Sequence, residues 1–403
     1  MPLFVLLLGG IVILTILIRP GLKRIGMPPV VGFLVLGILI RLADLRWEFI
    51  STEFTEFFEL LATVGIILLL FHVGLESNLT QLMRRLKPAS VIWVSNVFVS
   101  GSIGYVASCF LLGLDLIPSL FIAVAFTATS VAISVGVWQG AGALKSPIGQ
   151  LLVDVAVADD ISGIVLMSVL FAVIPILRGG QEATLVPVLG ETVGLLLVKL
   201  VGFGAFCVFL SRYAEPRITN FLRRFEPVPG QTLALVGGGL IIAALGGLIG
   251  FSVVIGAFFA GLVFSRDPQA VRLDTPFTIL YELFAPFFFI NIGLSIDPGA
   301  MTVALGLGGV LLAMAFIGKV AGAGGPAVRT AGWSGGLLLG FSMVPRAEIA
   351  MVIMHRGLKL GDWAVPTDVF SAMVMVSLAT AIISPIIIRA LLNRWPQTES
   401  KNS

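Results

Sequence analysis

Charge is scarce in this 403-residue sequence: Asp, Glu, Lys and Arg make up 12% of it, where soluble domains carry about 25%. With 58% hydrophobic residues and a mean hydropathy of +1.07, a soluble globule is excluded. Histidine is rarer still, and the two present, His72 and His355, lie too far apart in sequence to suggest a metal cluster. The two cysteines, Cys109 and Cys207, both fall in apolar runs, where they read as small buried hydrophobes and not as a disulfide or metal site. The net charge of +3 comes from loop Lys and Arg; no basic stripe with interleaved aromatics is present, so a nucleic-acid partner is not expected. No phosphate-binding GxxxxGKS/T loop occurs, so nucleotide hydrolysis is not the evident energy source. No cofactor is expected either.

What is present is long apolar chain. A membrane-crossing helix needs about 20 apolar residues at a rise of about 1.5 Å each. On that ruler about thirteen candidates emerge: 3–18, 29–43, 57–75, 89–112, 118–138, 147–176, 184–211, 231–249, 252–265, 276–296, 301–327, 333–354 and 364–391. Several are short or broken by Gly and Pro. The first, LFVLLLGGIVILTILI, has no positive residue before it, Arg19 after it and no small-residue cleavage site, so it reads as a retained span and not a signal peptide. Segments 46–59 and 212–230 read as polar connections, the second a hinge between halves, and residues 397–403 as a short polar tail after one membrane domain, 1–396. Placed on that topology, 17 of the 25 Lys and Arg fall on one side, 5 on the other and 3 inside spans. The positive-inside rule then puts the N-terminus outside and the C-terminus in the cytoplasm, and a bacterial inner membrane is the expected location.

The two halves echo each other. VVGFLVLGILI (30–40) resembles VIGAFFAGLVF (254–264), with Gly32 and Gly37 matching Gly256 and Gly261. LLLFHVGLESN (68–78) resembles FFFINIGLSID (287–297), with Gly74 matching Gly293. The offset spans seven candidate helices, an odd number, so the copies run in opposite directions. Inverted repeats of this kind mark secondary transporters, whose sites lie at the repeat interface.

The residues that carry chemistry are the polar ones inside the apolar runs. Asp159 and Asp160 sit midway along LLVDVAVADDISGIVLMSVL (151–170). One Asp at mid-membrane costs roughly 2.5 to 3.5 kcal/mol on insertion scales, so a buried ionisable pair is a functional-site hypothesis by default. Successive helical residues point about 100° apart, so one carboxylate can face a cavity while the other faces a neighbouring helix. Lys319 lies equally deep in its own span and is the expected partner of Asp159, either as a switchable pair or as a permanent structural one. Thr127, Thr129, Ser130 and Ser134 crowd the fifth span, and Pro345 interrupts the twelfth just before Arg346 and Glu348. A proline within a helix frees carbonyls and kinks it. Both stretches are therefore expected to be broken helices whose ends, carbonyls and hydroxyls can meet a small cation, with Arg346 and Glu348 balancing the helix dipoles. Ordinary small-residue packing remains the alternative for the fifth span. Asp154 reads as a vestibule carboxylate or a solvated span end, His72 as a packing residue before a pH sensor, and Asn291 and Glu282 as polar residues without a stated role.

At these residues the chain resembles the monovalent cation:proton antiporter-2 family, of the sodium/hydrogen exchanger fold. The matching stretches are LLLFHVGLE (68–76), FTATS (126–130), ADDISG (158–163), FFFINIGLSID (287–297), GKVAG (318–322) and MVPRAEIAMVI (343–353), in family order over almost the whole chain. The resemblance implies an all-α polytopic membrane protein with two inverted-topology repeats and two crossing broken helices. It implies that Asp160 is the cation and proton carboxylate and that Asp159 pairs with Lys319. It also implies a homodimer, with dimer-domain spans at about 1–76 and 231–297, core spans at about 89–176 and 301–391 moving as an elevator, and a linker span at about 184–211. An Asp-Asp pair with a lysine is similar to the NapA-like, electrogenic branch; electroneutral relatives usually carry Asn at the first position. Kef-type potassium-efflux relatives often carry Gln-Asp and append a nucleotide-binding regulatory domain, which this sequence does not show.

The expected function is therefore antiport of a monovalent cation, sodium first and lithium with it, against protons. Thr127, Thr129, Ser130, Asp159 and Asp160 are the expected cation and proton site, and Lys319, Arg346 and Glu348 the compensating charges. Potassium/proton exchange is the runner-up, and a gated cation channel on the same scaffold comes third. An intramembrane aspartyl hydrolase is disfavoured, because that chemistry needs two carboxylates on one water, normally from different helices, so the chain is not expected to be an enzyme.

Overall fold

The structure is a computed structural model and describes residues 2–24, 27–76, 79–178, 185–214, 217, 230–265, 274–297, 299 and 301–397. Most of the expected hinge 212–230, the loop cations Arg223, Arg224, Arg266 and Arg272, and the tail beyond Gln397 lie outside the described residues. Among the described residues there is no strand. Inside a bilayer the backbone has no water to bond, so each apolar run must close its own hydrogen bonds as a helix.

In chain order the helices are α1 (Pro2–Arg24), α2 (Pro29–Trp47), α3 (Thr52–Glu76), α4 (Leu79–Val106), α5 (Leu116–Thr127), α6 (Val131–Gly140), α7 (Pro147–Arg178) and α8 (Leu185–Phe209). They are followed by α9 (Gly230–Leu248), α10 (Val253–Phe264), α11 (Asp274–Leu294), α12 (Met301–Lys319), α13 (Gly325–Ser342), α14 (Glu348–Leu360) and α15 (Thr367–Arg394). Short π-helical turns extend α4 over Ala107–Leu111 and α8 over Leu210–Ala214, and a third, Val320–Gly324, joins α12 to α13. Within α13 the chain breaks at Gly332, whose φ of 69° is one that a side chain disfavours. Eight stretches are long and apolar enough to cross a membrane, with shorter apolar helices at 116–127, 233–248 and 253–264. The chain is thus a multi-pass, all-helical membrane protein. The connection expected at 46–59 is shorter than the polarity implied. Helix α3 already starts at Thr52, because Ser51 Oγ accepts from the Phe54 N–H and Glu53 sits in the first turn, where the helix dipole favours an acid.

The fold contains two compact units. The first gathers the described residues of Met1–Phe49, Leu82–Met167 and Ile292–Ser403, the second those of Ile50–Gln81 and Ser168–Asn291. The core of the first includes Trp138, Leu152, Val155, Ala156, Leu338 and Met343, all fully buried. In the second, Phe58 meets Phe287 edge-on at 5.4 Å, and His72 stacks on Tyr281 at 4.4 Å, which places His72 in a packed aromatic environment.

The repeat read from sequence reappears as packing. A Cβ on Gly74 of α3 would strike the Phe258 carbonyl and the Gly261 backbone of α10, and one on Gly261 would strike Phe71 and Gly74 in return. In the other unit, Gly293 of α11 lies against the backbone of Leu34 and Gly37 of α2. Since Gly37 matches Gly261 and Gly74 matches Gly293, these are one helix crossing made twice, each copy using a helix from both repeats. Gly32 and Gly256 follow suit: the first abuts Ile18 and Leu22 of α1, the second Ala243 of α9. Gly261→Val should therefore destabilise the purified protein by about 1–3 kcal/mol through forced helix separation. Gly10→Ala, where a Cβ meets nothing within 4 Å, should be neutral or slightly stabilising; thermal unfolding in detergent compares the two.

Candidate functional site

Both expected breaks are present and they touch. Helix α5 ends at Thr127 and α6 begins at Val131, with Ala128 extended at φ −70°, ψ 145°. Helix α13 ends at Ser342 and α14 begins at Glu348, with Ala347 at φ −144°, ψ −88°. The Ser130 N–H donates to the Pro345 carbonyl at 2.7 Å, and Thr129 Oγ1 donates to the Met343 carbonyl at 3.1 Å. Ser134 Oγ donates to the Ser342 carbonyl, and Trp138 Nε1 donates to Ser342 Oγ at 2.8 Å. Proline at 345 supplies no N–H and cannot continue a helix, so the second run unwinds where the first run's hydroxyls can bond it.

Asp159 lies fully buried on α7. Lys319 Nζ stands 3.2 Å from Asp159 Oδ2, with both side chains at 0% exposure. Asn96 Nδ2 on α4 donates to Asp159 Oδ1 at 2.8 Å, so each carboxylate oxygen has its own donor. Lys319 Nζ also donates to the Thr127 carbonyl at 2.5 Å, the last residue of α5. Removing two ions from water costs several kcal/mol each, which is recovered only when geometry and additional hydrogen bonds are good. Here the lysine is shared between a carboxylate and a helix end. Asp160, one residue on, is half-buried, as the rotation of about 100° per residue requires.

Arg346 is fully buried inside the second break. Its Nη1 donates to the Val344 carbonyl and its Nη2 to the Phe126 carbonyl, each at 3.0 Å, and its guanidinium lies 4.5 Å above the Phe126 ring. Lys319 and Arg346 thus both address carbonyls at the C-terminal end of α5, where the helix dipole is negative. Glu348, half-buried, occupies the first turn of α14, where the dipole is positive. The signs agree with the dipole-balancing role read from the sequence.

Among the hydroxyls expected at the site, Thr127 Oγ1 donates to the Val124 carbonyl at 2.8 Å and Thr129 Oγ1 to Met343. Ser130 Oγ is buried with no hydrogen-bond partner. Donation by Thr127 and Thr129 turns their protons away and leaves oxygen lone pairs, the donor type a hard monovalent cation takes. Sequence reasoning missed Asn96, Trp138, Ser342, Ser377 and Thr380. Asn96 carried a usable signal, being an amide within an otherwise apolar run. The serines and threonines did not, since small hydroxyls are ordinary in packed membrane helices.

Residues 10–394 match the family model described as sodium/hydrogen exchanger, transmembrane. The chain belongs to that family. As a sodium/hydrogen exchanger family member it is 26% identical over 377 residues to the high-affinity Na(+)/H(+) antiporter NhaS3 of Synechocystis, covering 91% of this chain and 79% of that protein. It is 29% identical over 369 residues to the Na(+)/H(+)-K(+) antiporter GerN of Bacillus cereus, covering 90% and 89%. With the K(+)/H(+) antiporter subunit KhtU of Bacillus subtilis it shares 27% over 376 residues, covering 88% and 85%. The solved structure of the sodium proton antiporter MjNhaP1 from Methanocaldococcus jannaschii superposes with a TM-score of 0.71 at 15% identity, covering 97% of both chains. That likeness carries the fold: two inverted repeats with crossing broken helices.

The buried pair makes a stability prediction that does not depend on transport. Lys319→Met alone leaves an uncompensated carboxylate and should cost about 3–5 kcal/mol. Combining it with Asp159→Asn should recover most of that loss, and chemical or thermal unfolding of the purified single and double variants in detergent measures the recovery.

Proposed function

We propose that this protein is a secondary antiporter that exchanges a monovalent cation, sodium first and lithium with it, for protons. The observation that carries the reading is a fully buried Asp159–Lys319 pair beside the half-buried Asp160, at the contact of two broken helices. Asp160 is the exchanging carboxylate. A proton neutralises it and removes its attraction for a cation, and a bound cation occupies the same oxygens, so the two ligands compete and the exchange is coupled. Asp159, Thr127, Thr129 and Ser130 complete the oxygen-rich surroundings from which a dehydrated cation draws its ligands. Lys319, Arg346 and Glu348 compensate charge.

The Asp159–Lys319 pair supplies a second charge change. When a cation enters, Asp159 can leave the ammonium, which keeps the Thr127 carbonyl as its other acceptor. More than one proton then moves per cation and the cycle carries net charge. Each net charge gains roughly 2.3 kcal/mol from a potential of about 100 mV, which adds to the proton gradient as driving force. We infer an elevator cycle in a homodimer. Its dimer-domain spans lie at about 1–76 and 231–297, its core spans at about 89–176 and 301–391, and its linker at about 184–211. The N-terminus faces outward and the C-terminus the cytoplasm of a bacterial inner membrane, as the distribution of Lys and Arg supports. The chain acts by transport and not as an enzyme. A potassium/proton exchanger is the second reading, favoured by the relatives named Na(+)/H(+)-K(+) and K(+)/H(+) antiporters.

Proteoliposomes given sodium, lithium or potassium gradients, with lumenal pH followed at clamped and free membrane potential, test this. Sodium-driven proton movement that responds to potential is the expected result, with Asp160→Asn abolishing it and Lys319→Ala slowing it or making it electroneutral. Potassium-driven exchange moves the protein to the second reading. Ion flux without proton movement, or full exchange by Asp160→Asn, overturns the antiport mechanism.

A further inference from the structure

The second break has an unexplained completeness. Every carbonyl from Ser342 to Arg346 already accepts a hydrogen bond from protein. Ser342 is met by Ser134 Oγ, Met343 by Thr129 Oγ1, Val344 by Arg346 Nη1 and Pro345 by the Ser130 N–H. Arg346, the last, is met by Ser377 Oγ at 2.6 Å. The Arg346 N–H in turn donates to Thr380 Oγ1 at 3.2 Å, and Thr380 Oγ1 donates to the Ser377 carbonyl at 3.1 Å. Ser377 and Thr380 stand three residues apart on one face of α15, and both are buried. One peptide on each side of the Arg346 Cα is thus fixed by a side chain from a single rigid helix. The first break differs, because it contains Ser130 Oγ, buried and without a partner.

We propose that Ser377 and Thr380 are positioning residues of the ion site, and that the two breaks have different duties. The first break and the carboxylates meet the transported cation. The second, held by α15 at Arg346 and by α6 at Ser342, withholds its carbonyls and sets the guanidinium against the end of α5. This rests on the antiport reading for its transport readout, but not for its binding readout. Loss of either hydroxyl leaves a buried backbone group of Arg346 without its partner and lets the segment shift, so both the tightness of the site and its ranking of cations should suffer.

The test uses Thr380→Val, which keeps the shape and removes the hydroxyl, and Ser377→Ala, with Thr380→Ser and Ser377→Thr as restorations. Two quantities are read: KM and Vmax for lithium, sodium and potassium in proteoliposomes, and the concentration of each chloride salt needed to stabilise the purified protein against heat at constant ionic strength. The loss variants should raise KM, and the stabilising concentration, about tenfold, the equivalent of one hydrogen bond, and should narrow the lithium, sodium and potassium ranking. The restorations should return both towards the parent. A structural role alone would lower folded yield and Vmax while leaving KM, stabilising concentration and ranking unchanged, and that result overturns the proposal. If Ser377→Ala fails to accumulate, the isosteric Thr380→Val carries the same decision. A parent protein that moves no protons but retains cation-specific stabilisation, lost in the variants, would reject the antiport reading and keep this one.

Discussion

The site is organised by one constraint: a helix cannot be interrupted inside a membrane unless something other than water takes up the backbone groups it releases. Two interruptions side by side multiply the demand, and the chain meets it from several directions. The end of α5 is covered by two cations, Lys319 on Thr127 and Arg346 on Phe126. The two breaks bond each other through Thr129, Ser130 and Ser134, and α15 closes what remains at Arg346. Once Lys319 is brought in to cover a helix end, a buried carboxylate must accompany it, and Asp159 with Asn96 is the result. Electrostatics and backbone bonding are thus one problem here, and the exchanging carboxylate, Asp160, sits at its margin, where water and ions can still arrive.

Glycine lets the two inverted repeats interlock. Gly74 against Gly261 in one unit and Gly293 against Gly37 in the other bring main chains into direct contact, a closeness that any side chain would prevent. Each such crossing joins a helix of one repeat to a helix of the other, so neither repeat could be assembled without its partner. In lipid, where apolar side chains gain nothing by leaving the solvent, this van der Waals approach is the main source of attraction between helices.

How much of this was readable in the sequence follows the energetic weight of each residue. An ionised side chain at mid-membrane carries a penalty of several kcal/mol, which is why Asp159, Asp160, Lys319 and Arg346 stood out from one chain without any comparison. Proline at 345 and the glycine spacing of the repeats were visible for similar reasons, as both impose hard steric terms. Hydroxyls impose little. Ser377 and Thr380 can bond their own helix as readily as a neighbour, so only the fold reveals that their partner is Arg346, 31 and 34 positions away. Asn96 lies between these cases: its amide was conspicuous, but its partner on α7 is 63 residues distant. The start of α3 was misjudged because glutamates in a first helical turn resemble a polar loop.

The π turn directly after Lys319 has a consequence for how this protein can vary. Such a turn holds one residue more than the α-helix it interrupts, and each residue of a helix turns about 100°. Deleting any single residue within Val320–Gly324 would let the turn relax to regular α geometry without disturbing a single hydrophobic contact type. It would nevertheless rotate everything downstream relative to the lysine, carrying Ser342 and the second break around the helix axis. The length of a featureless Val-Ala-Gly-Ala-Gly stretch therefore matters more than its composition, and tolerance to substitution there should coexist with intolerance to insertion or loss.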